Sequence, residues 1–512
     1  MAEYVSAQEA VSVIQNGDFI GINAFLTLAN PEELLGALAD RFDITGEPGN
    51  LTLFCEAAFG NWEKASGCER IITSGGVKSV MLSHYASMPG TIEMVLENRI
   101  AGYNLPFGAM SHMVREAARG SEYYITSGGR NLFVDPIFGG SKLNEKASED
   151  WVGEITIDGE RFLKYKIPKF DIALIKGSSC DRFGNITFEK ESCTLDALSL
   201  VQAVRRNGGK VIVQVGGFTE KRRPWECIIP GAFVDYIVIC PDQVPILGLD
   251  EVEPAYTGDR FMTPDETTEF VLTHGTVNTD AIRAIIAKRA VRELHPGAVV
   301  NIGIGIPEEV GVEAAKRNLL GRVTLTVEDG AIGGMPAAGK AFGSAVGAHC
   351  VINAAQMFDF YDGGGLDLCY VGAMEVDRYG NANSHYSPGK LAGIGGFANI
   401  TQTAKKVVFA MAFSAGGLEV KEAYGKVRIL KEGKIPKFVE NVRAVSFAAV
   451  NAHEIGQEVL YITERCVFRL GKEGLVLTEV YPGIDLKKDI LDRISFPVKI
   501  NPDLEKSLVE LA

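Results

Sequence analysis

The carboxylate best placed for chemistry is Glu328. It closes the apolar run Thr324-Leu-Thr-Val-Glu328 and is followed by Asp329, then Gly330, Gly333 and Gly334 ahead of Pro336. A buried strand that delivers a carboxylate into a glycine-rich turn is an unusual arrangement. Glycines let backbone and substrate approach closely and leave N–H donors exposed. Shortly before it, Asn301-Ile-Gly-Ile-Gly-Ile-Pro307 is a second strand running into a glycine turn. Together the two segments predict a nucleophilic glutamate facing a bound anionic cofactor. On spacing alone an alternative stands beside this, with Glu328 as a helix-terminal carboxylate and Asp329 as a turn or capping residue.

The bulk properties narrow the chemistry. With 512 residues the chain exceeds one core, so two domains are expected. A net charge of -14 argues against a nucleic-acid partner, yet leaves room for a phosphorylated cofactor held by a local donor cluster. Nine cysteines without a CxxC pair read as reduced, cytosolic thiols. The seven histidines show no metal-ligand spacing, so no metal is expected. His84, His112 and His385 read as structural. No apolar run reaches a membrane span and the first residues lack signal-peptide character, so a cytoplasmic location is expected.

The elements that must position these residues alternate between strand and helix. Phe19-Ile-Gly-Ile, Asp171-Ile-Ala-Leu-Ile, Lys210-Val-Ile-Val and Tyr236-Ile-Val-Ile read as buried parallel strands, and Pro31 to Phe42 as a helix. Ala298-Val-Val-Asn-Ile, Arg322-Val-Thr-Leu-Thr-Val, Asp367-Leu-Cys-Tyr-Val and Lys406-Val-Val-Phe-Ala continue the pattern. The expected fold class is α/β. The halves also repeat. Asp171 opens a run ending in Asp181-Arg-Phe-Gly-Asn185, and Asp367 opens one ending in Asp377-Arg-Tyr-Gly-Asn381. Duplication of one open α/β unit is the expectation, with domains at 1–250 and 279–512 joined by a linker at 251–278.

Several further segments occur in a telling order. They are Gly303-Ile-Gly-Ile-Pro307, Glu328-Asp-Gly-Ala-Ile-Gly-Gly334, Phe358-Asp-Phe-Tyr-Asp-Gly-Gly-Gly-Leu-Asp367 and Leu391-Ala-Gly-Ile-Gly-Gly-Phe-Ala-Asn-Ile400. Thr463-Glu-Arg-Cys-Val-Phe468 and Pro482-Gly-Ile-Asp-Leu486 follow; Phe133-Val-Asp-Pro136 and Val213-Gln-Val215 belong to the first half. On these the chain resembles the family I coenzyme A transferases, in particular the single-chain acetate/propionate branch, over nearly its whole length.

The resemblance implies exchange of CoA between an acyl-CoA and a free carboxylate, by a ping-pong route through a glutamyl-CoA thioester on Glu328. CoA is then a substrate, with no permanently bound cofactor. Gly395 and Gly396 are the implied oxyanion donors. Gly303, Ile304, Gly305 and Pro307 are the implied contacts of the CoA arm. A homo-oligomer, dimer or tetramer, is also implied. Two positions depart from the family pattern. Phe107 stands where glutamine is usual, and it either fills a cavity or shifts the acyl preference toward bulkier or aromatic acids. Glu375 also replaces a glutamine, adding a carboxylate near the domain junction. Two rivals remain at this stage: an acyl-CoA hydrolase on the same scaffold, and a catalytically silent CoA-binding protein.

Overall fold

The computed structural model describes residues 2–64, 67–220, 222–249, 251–274 and 280–505. The Val- and Ile-rich runs of the first half assemble into an eight-stranded, wholly parallel sheet. Its order is Glu3–Tyr4, Tyr236–Ile239, Lys210–Val215, Ile172–Gly177, Phe19–Ile22, Leu51–Cys55, Val77–Leu82 and Ala101–Asn104. The second half builds a parallel core in the order Thr324–Thr326, Val299–Ile302, Leu368–Val371, Lys406–Ala410 and Glu458–Ile462. Further strands at both edges extend it to ten. Strands such as Leu51–Cys55 and Leu368–Val371 are buried at every residue, which explains their unbroken apolar sequence.

The duplication extends to single hydrogen bonds. Asp171 Oδ2 accepts from the Phe19 N–H at 2.8 Å, and Asp367 Oδ2 accepts from the Val299 N–H at 2.9 Å. Asp181 Oδ1 accepts from the N–H groups of Phe183 and Asn185, while its Oδ2 accepts from Asn185 Nδ2. Asp377 makes the same three bonds with Tyr379 and Asn381. Asn185 and Asn381 then accept from Gly231 N–H and Ala449 N–H, each at 2.9 Å. Turn propensity alone does not produce matched long-range partners, so the halves are copies of one unit.

The register between adjacent strands carries the equivalence further. Phe19 pairs with Thr52 and Val299 with Thr324, so the residue four beyond each partner is Glu56 in one half and Glu328 in the other.

The stretch expected as a linker is folded where it is described; residues 275–278 lie outside the described residues. Helices Pro254–Thr257 and Pro264–His274 occupy it. Ala255 and Met262 are buried with Val346 of the second half, so tertiary packing replaces the open connection that the Pro- and acid-rich composition suggests. The extra sequence of the first half forms the antiparallel sheet Tyr123–Thr126, Glu160–Lys166 and Val152–Ile157. Asp135, in the Phe133-Val-Asp-Pro segment, is fully buried and ion-paired with Arg161. One buried cluster contains Phe25 and Phe107 of the first half and Val327, Phe342 and Phe358 of the second, so the halves share a core. Among the described residues no helix is long and apolar enough to cross a membrane.

Asp377→Ala removes the acceptor of four donors, the three above and the Val442 N–H at 3.5 Å. The expected cost is about 2–4 kcal/mol, read as a lower urea midpoint, because buried donors left without partners lose the full hydrogen-bond contribution.

Candidate active site

The C-terminal ends of both sheets converge on one cavity of about 350 Å³. Open α/β sheets bind ligands at this edge. Phe25, Ala57, His84 and Phe107 reach its wall from loops that follow Phe19–Ile22, Leu51–Cys55, Val77–Leu82 and Ala101–Asn104. Gly303, Glu328, Gly372 and Met411 reach it from the ends of the second sheet's strands.

A set of hydrogen bonds between the halves shapes this wall. Ser83 O accepts from the Gly395 N–H at 2.8 Å, and Asn104 Nδ2 donates to the same carbonyl at 2.7 Å. Asn104 Oδ1 accepts from the Ile394 N–H at 3.1 Å. Helix Phe107–Arg119 starts here: the Phe107 N–H donates to Gly395 O at 3.0 Å, and the Gly108 N–H to Asn399 Oδ1 at 3.1 Å. The loop around Gly395 is therefore held on both sides by the first half. Gly396, next in the chain, lies against Glu328. A Cβ there would stand 3.1 Å from Glu328 Cγ and 3.2 Å from its Cβ.

Glu328 is partly buried and lines the cavity. Burial pushes its carboxyl above the usual glutamate range, while its own backbone N–H and the Asn301 side chain pull the other way. Asn301 is itself anchored: its Nδ2 donates to Thr326 O at 3.2 Å and to Tyr361 Oη at 3.3 Å. Asp329 is fully buried and absent from the cavity wall. Burial, together with the neighbouring Glu328 charge, drives its carboxyl well above the ordinary range. Of the two adjacent acids, only Glu328 can meet a ligand. The register twin Glu56 is buried beside Asp196, and desolvation with that neighbour's charge holds its carboxyl well above normal.

The remaining expected site residues divide. Gly303, Ile304 and Pro307 line the cavity with Gly395, Gly396 and Phe107. Gly305 does not; it turns the chain at φ 89°, and its carbonyl accepts from Arg283. Because the Gly395 N–H is engaged by Ser83, Gly396 keeps the amide without an acceptor among the described residues. The glycines after Glu328 serve the protein's own packing rather than a ligand: a Cβ on Gly330 would stand 1.9 Å from Ile352 O. Phe107 is buried and packs against Phe25 and Phe358, with ring centroids at 5.8 and 4.8 Å. Glu375 is off the cavity. Its carboxylate accepts from Asn383 Nδ2 and the Arg443 N–H, so its charge is met locally.

Sequence reasoning missed Asn301, His84 and Lys437 as cavity residues. A polar side chain inside the apolar strand Val299–Ile302 was the available signal for Asn301. His84 has a buried Nε2 without a partner, and burial lowers its pKa to about 4, so it is neutral at physiological pH. His385 is structural as expected, bonded to Ser446 and packed on Phe133. Among the described residues no cluster of His, Cys, Asp and Glu could hold a metal.

The chain that builds these two duplicated α/β units, with a carboxylate at their shared edge, belongs to the coenzyme A transferase family: the family model, Coenzyme A transferase, matches residues 4–239 and 283–488. The chain is similar to the acetate CoA-transferase YdiF of Escherichia coli K12, at 38% identity over 98% of this chain and 93% of that protein. It is 39% identical to the caffeate CoA-transferase of Acetobacterium woodii, over 99% of this chain and 96% of that one. The apoenzyme structure of the acyl-CoA transferase YdiF from E. coli O157:H7 superposes with a TM-score of 0.91 at 35% identity, covering 99% and 96% of the two chains. A thioester complex of that enzyme with CoA gives 0.90.

Gly396→Ala tests the close approach to Glu328. Its φ of -78° suits alanine, so only the side-chain contact changes. The expected result is a kcat lower by about tenfold or more with an unchanged melting temperature, since small displacements of a reacting group are costly. An unaltered kcat would show that Glu328 does not depend on this contact.

Proposed function

We propose that this enzyme exchanges CoA between an acyl-CoA and a free carboxylate, with Glu328 as the nucleophile. One observation carries the reading: Glu328 is the carboxylate that is both partly desolvated and open to the cavity. Its carboxylate attacks the thioester carbonyl, the C–S bond breaks, and CoA leaves as thiolate from an acyl-glutamyl anhydride. The thiolate then attacks the Glu328 carbonyl and releases the first acid, leaving a glutamyl-CoA thioester. A second carboxylate reverses both steps and departs as the new acyl-CoA.

Each transfer passes through an oxyanion. The free Gly396 N–H beside Glu328 is the donor we assign to it, and Gly395 becomes a positioning residue through its bond to Ser83. We assign to the neighbouring Asn301 side chain the part of favouring the charged carboxylate against burial. The mainly apolar wall limits the water around the carboxylate, which favours acyl transfer over hydrolysis. Phe25, Phe107 and Phe342 offer an aromatic lining, with Phe25–Phe342 centroids at 6.0 Å. They support acids bulkier than acetate, aromatic ones included. The named relatives act on acetate in one case and caffeate in the other. The nine free thiols support a cytoplasmic location. We retain a homo-oligomer and a two-domain division as part of this reading.

Incubation with a panel of acyl-CoAs from acetyl to aromatic, followed by intact-mass analysis, should add a CoA-derived mass that maps to Glu328. Glu328→Gln should abolish it and lower turnover by about 10³-fold or more, as loss of a covalent nucleophile does. CoA release without an acceptor acid should be slow; rapid release would instead identify a hydrolase.

The pH profile follows from burial. The attacking form is the carboxylate, and its pKa is raised, so kcat/KM for acyl-CoA should fall as the pH drops through a value above the ordinary glutamate range. An acid limb at the value of an exposed glutamate would contradict the assigned environment.

A further inference from the structure

Asn399 is buried in the first turn of the helix Phe397–Thr403, three residues beyond Gly396. Both ends of its amide are engaged. Oδ1 accepts from the Gly108 N–H at 3.1 Å, across the junction between the halves. Nδ2 donates to Asp362 Oδ1 at 3.0 Å and to Oδ2 at 3.2 Å, within the second half. Asp362 closes the helix Ala354–Asp362, and no step of the reaction proposed above uses it.

The two ends of an amide are not interchangeable here. The Gly108 N–H needs an acceptor, so Asn399 has to offer its oxygen. A carboxylate only accepts, so Asp362 takes the NH₂ end and leaves the oxygen facing Gly108. Turned over, the amide would set donor against donor at Gly108 and oxygen against carboxylate at Asp362. The fit leaves no slack: a Cβ on Gly108 would stand 2.5 Å from Asn399 Nδ2 and 2.8 Å from its Oδ1, so the amide lies directly over that glycine. The charges near Asp362 do not compete for the amide. Asp359 accepts from Arg115 Nη1 at 2.6 Å, and His112 Nε2 stands 3.8 Å from Asp362 Oδ2, beyond hydrogen-bond reach.

What the amide holds is the approach of Gly396 to Glu328. Two consecutive N–H groups at the start of helix Phe107–Arg119 grip the chain on either side of Gly396: Phe107 donates to Gly395 O, and Gly108 to Asn399 Oδ1. The first bond places the loop. The second sets the rotation of the helix Phe397–Thr403, to which Gly396 is tied because its carbonyl accepts from the Ile400 N–H at 3.0 Å. A rotation of this helix would carry Gly396 toward or away from Glu328. Neither Asp362 nor Asn399 lines the cavity, so the effect falls on the reacting groups rather than on substrate contacts.

Resting on the assignment of Glu328 as the nucleophile, we infer that Asp362 is a positioning residue for the transfer: it orients the Asn399 amide, and the oriented amide sets Gly396 against Glu328.

The test compares three changes with the unaltered enzyme. Asp362→Leu keeps a side chain of similar size and removes the acceptor. Asp362→Asn keeps an oxygen that can accept from Asn399 Nδ2. The exchanged pair, Asp362→Asn with Asn399→Asp, lets donor and acceptor trade places while an oxygen still faces Gly108. Asp362→Leu should lower kcat by about tenfold or more with KM for acyl-CoA and for the acid unchanged, since a small displacement of reacting groups is costly. Asp362→Asn should recover most of kcat. Asn399→Asp alone sets two carboxylates together and should be as impaired as Asp362→Leu, whereas the exchanged pair should regain activity, a coupling that independent structural effects would not give. As a control for general loosening of the junction, Gln402→Leu removes another bond between the halves, from the Gly129 N–H, and should leave kcat near that of the unaltered enzyme. An unaltered kcat in Asp362→Leu, an equal loss in Gln402→Leu, or an exchanged pair no more active than Asn399→Asp would each overturn the assignment. Should Asp362→Leu fail to fold, Asn399→Asp and the exchanged pair decide it.

Mass analysis separates this from failure of the underlying reading. The CoA adduct should appear on Glu328 more slowly in Asp362→Leu than in the unaltered enzyme, and equal rates would remove the role of Asp362 while leaving that of Glu328. If the unaltered enzyme forms no adduct, it is the Glu328 reading that fails, and this one with it.

Discussion

The structure depends on the grip that the first half keeps on the loop Ala392–Asn399 of the second. Ser83, Asn104, Phe107 and Gly108 hold this loop through backbone N–H and C=O groups and one buried amide. Such bonds are directional and those of Ser83 and Asn104 are buried, so they set position closely. What they position is Gly396, whose lack of a side chain lets it lie against Glu328. The reacting carboxylate belongs to one half, and the surface opposite it is aligned by the other. Neither half alone contains the site.

Electrostatics then distinguishes acids that look equivalent. Glu328, Asp329 and Glu56 all sit in or beside strand ends at the junction. Asp329 is sealed, and Glu56 faces Asp196 in the interior, so desolvation favours their protonated forms. Glu328 feels the same desolvation but keeps an opening to the cavity and a contact with Asn301. A carboxylate is a weak nucleophile, and partial removal of water with fixed orientation is the assistance that this site provides.

Much of this was legible in the chain because it is local. Apolar runs named the strands, and Asp181 and Asp377 announced their turns through residues a few positions away. Glu328 was visible because a strand ends on it. The cavity wall was less legible. Gly305 reads like Gly303, but the chain turns it away. Gly395 and Gly396 read alike, yet Ser83 engages one amide and leaves the next. Lys437 sits in an unremarkable Ile-Pro-Lys-Phe stretch, and only the packing of distant strands shows that it reaches the cavity wall. The segment 251–278 reads as a linker because the packing of Ala255 and Met262 beside Val346 is not periodic in sequence. Burial partners far along the chain decided each of these cases.

The register twin of the reactive acid carries a lesson about descent. Both halves offer a glutamate at the same strand end. One stands at the mouth of the cavity, and the other is buried beside Asp196, where desolvation and that neighbour's charge keep it protonated more readily. Two unlike copies in one polypeptide need not keep the identity that the subunits of a symmetric dimer must. One copy was free to keep the chemistry, and the other became the surface against which that chemistry is held.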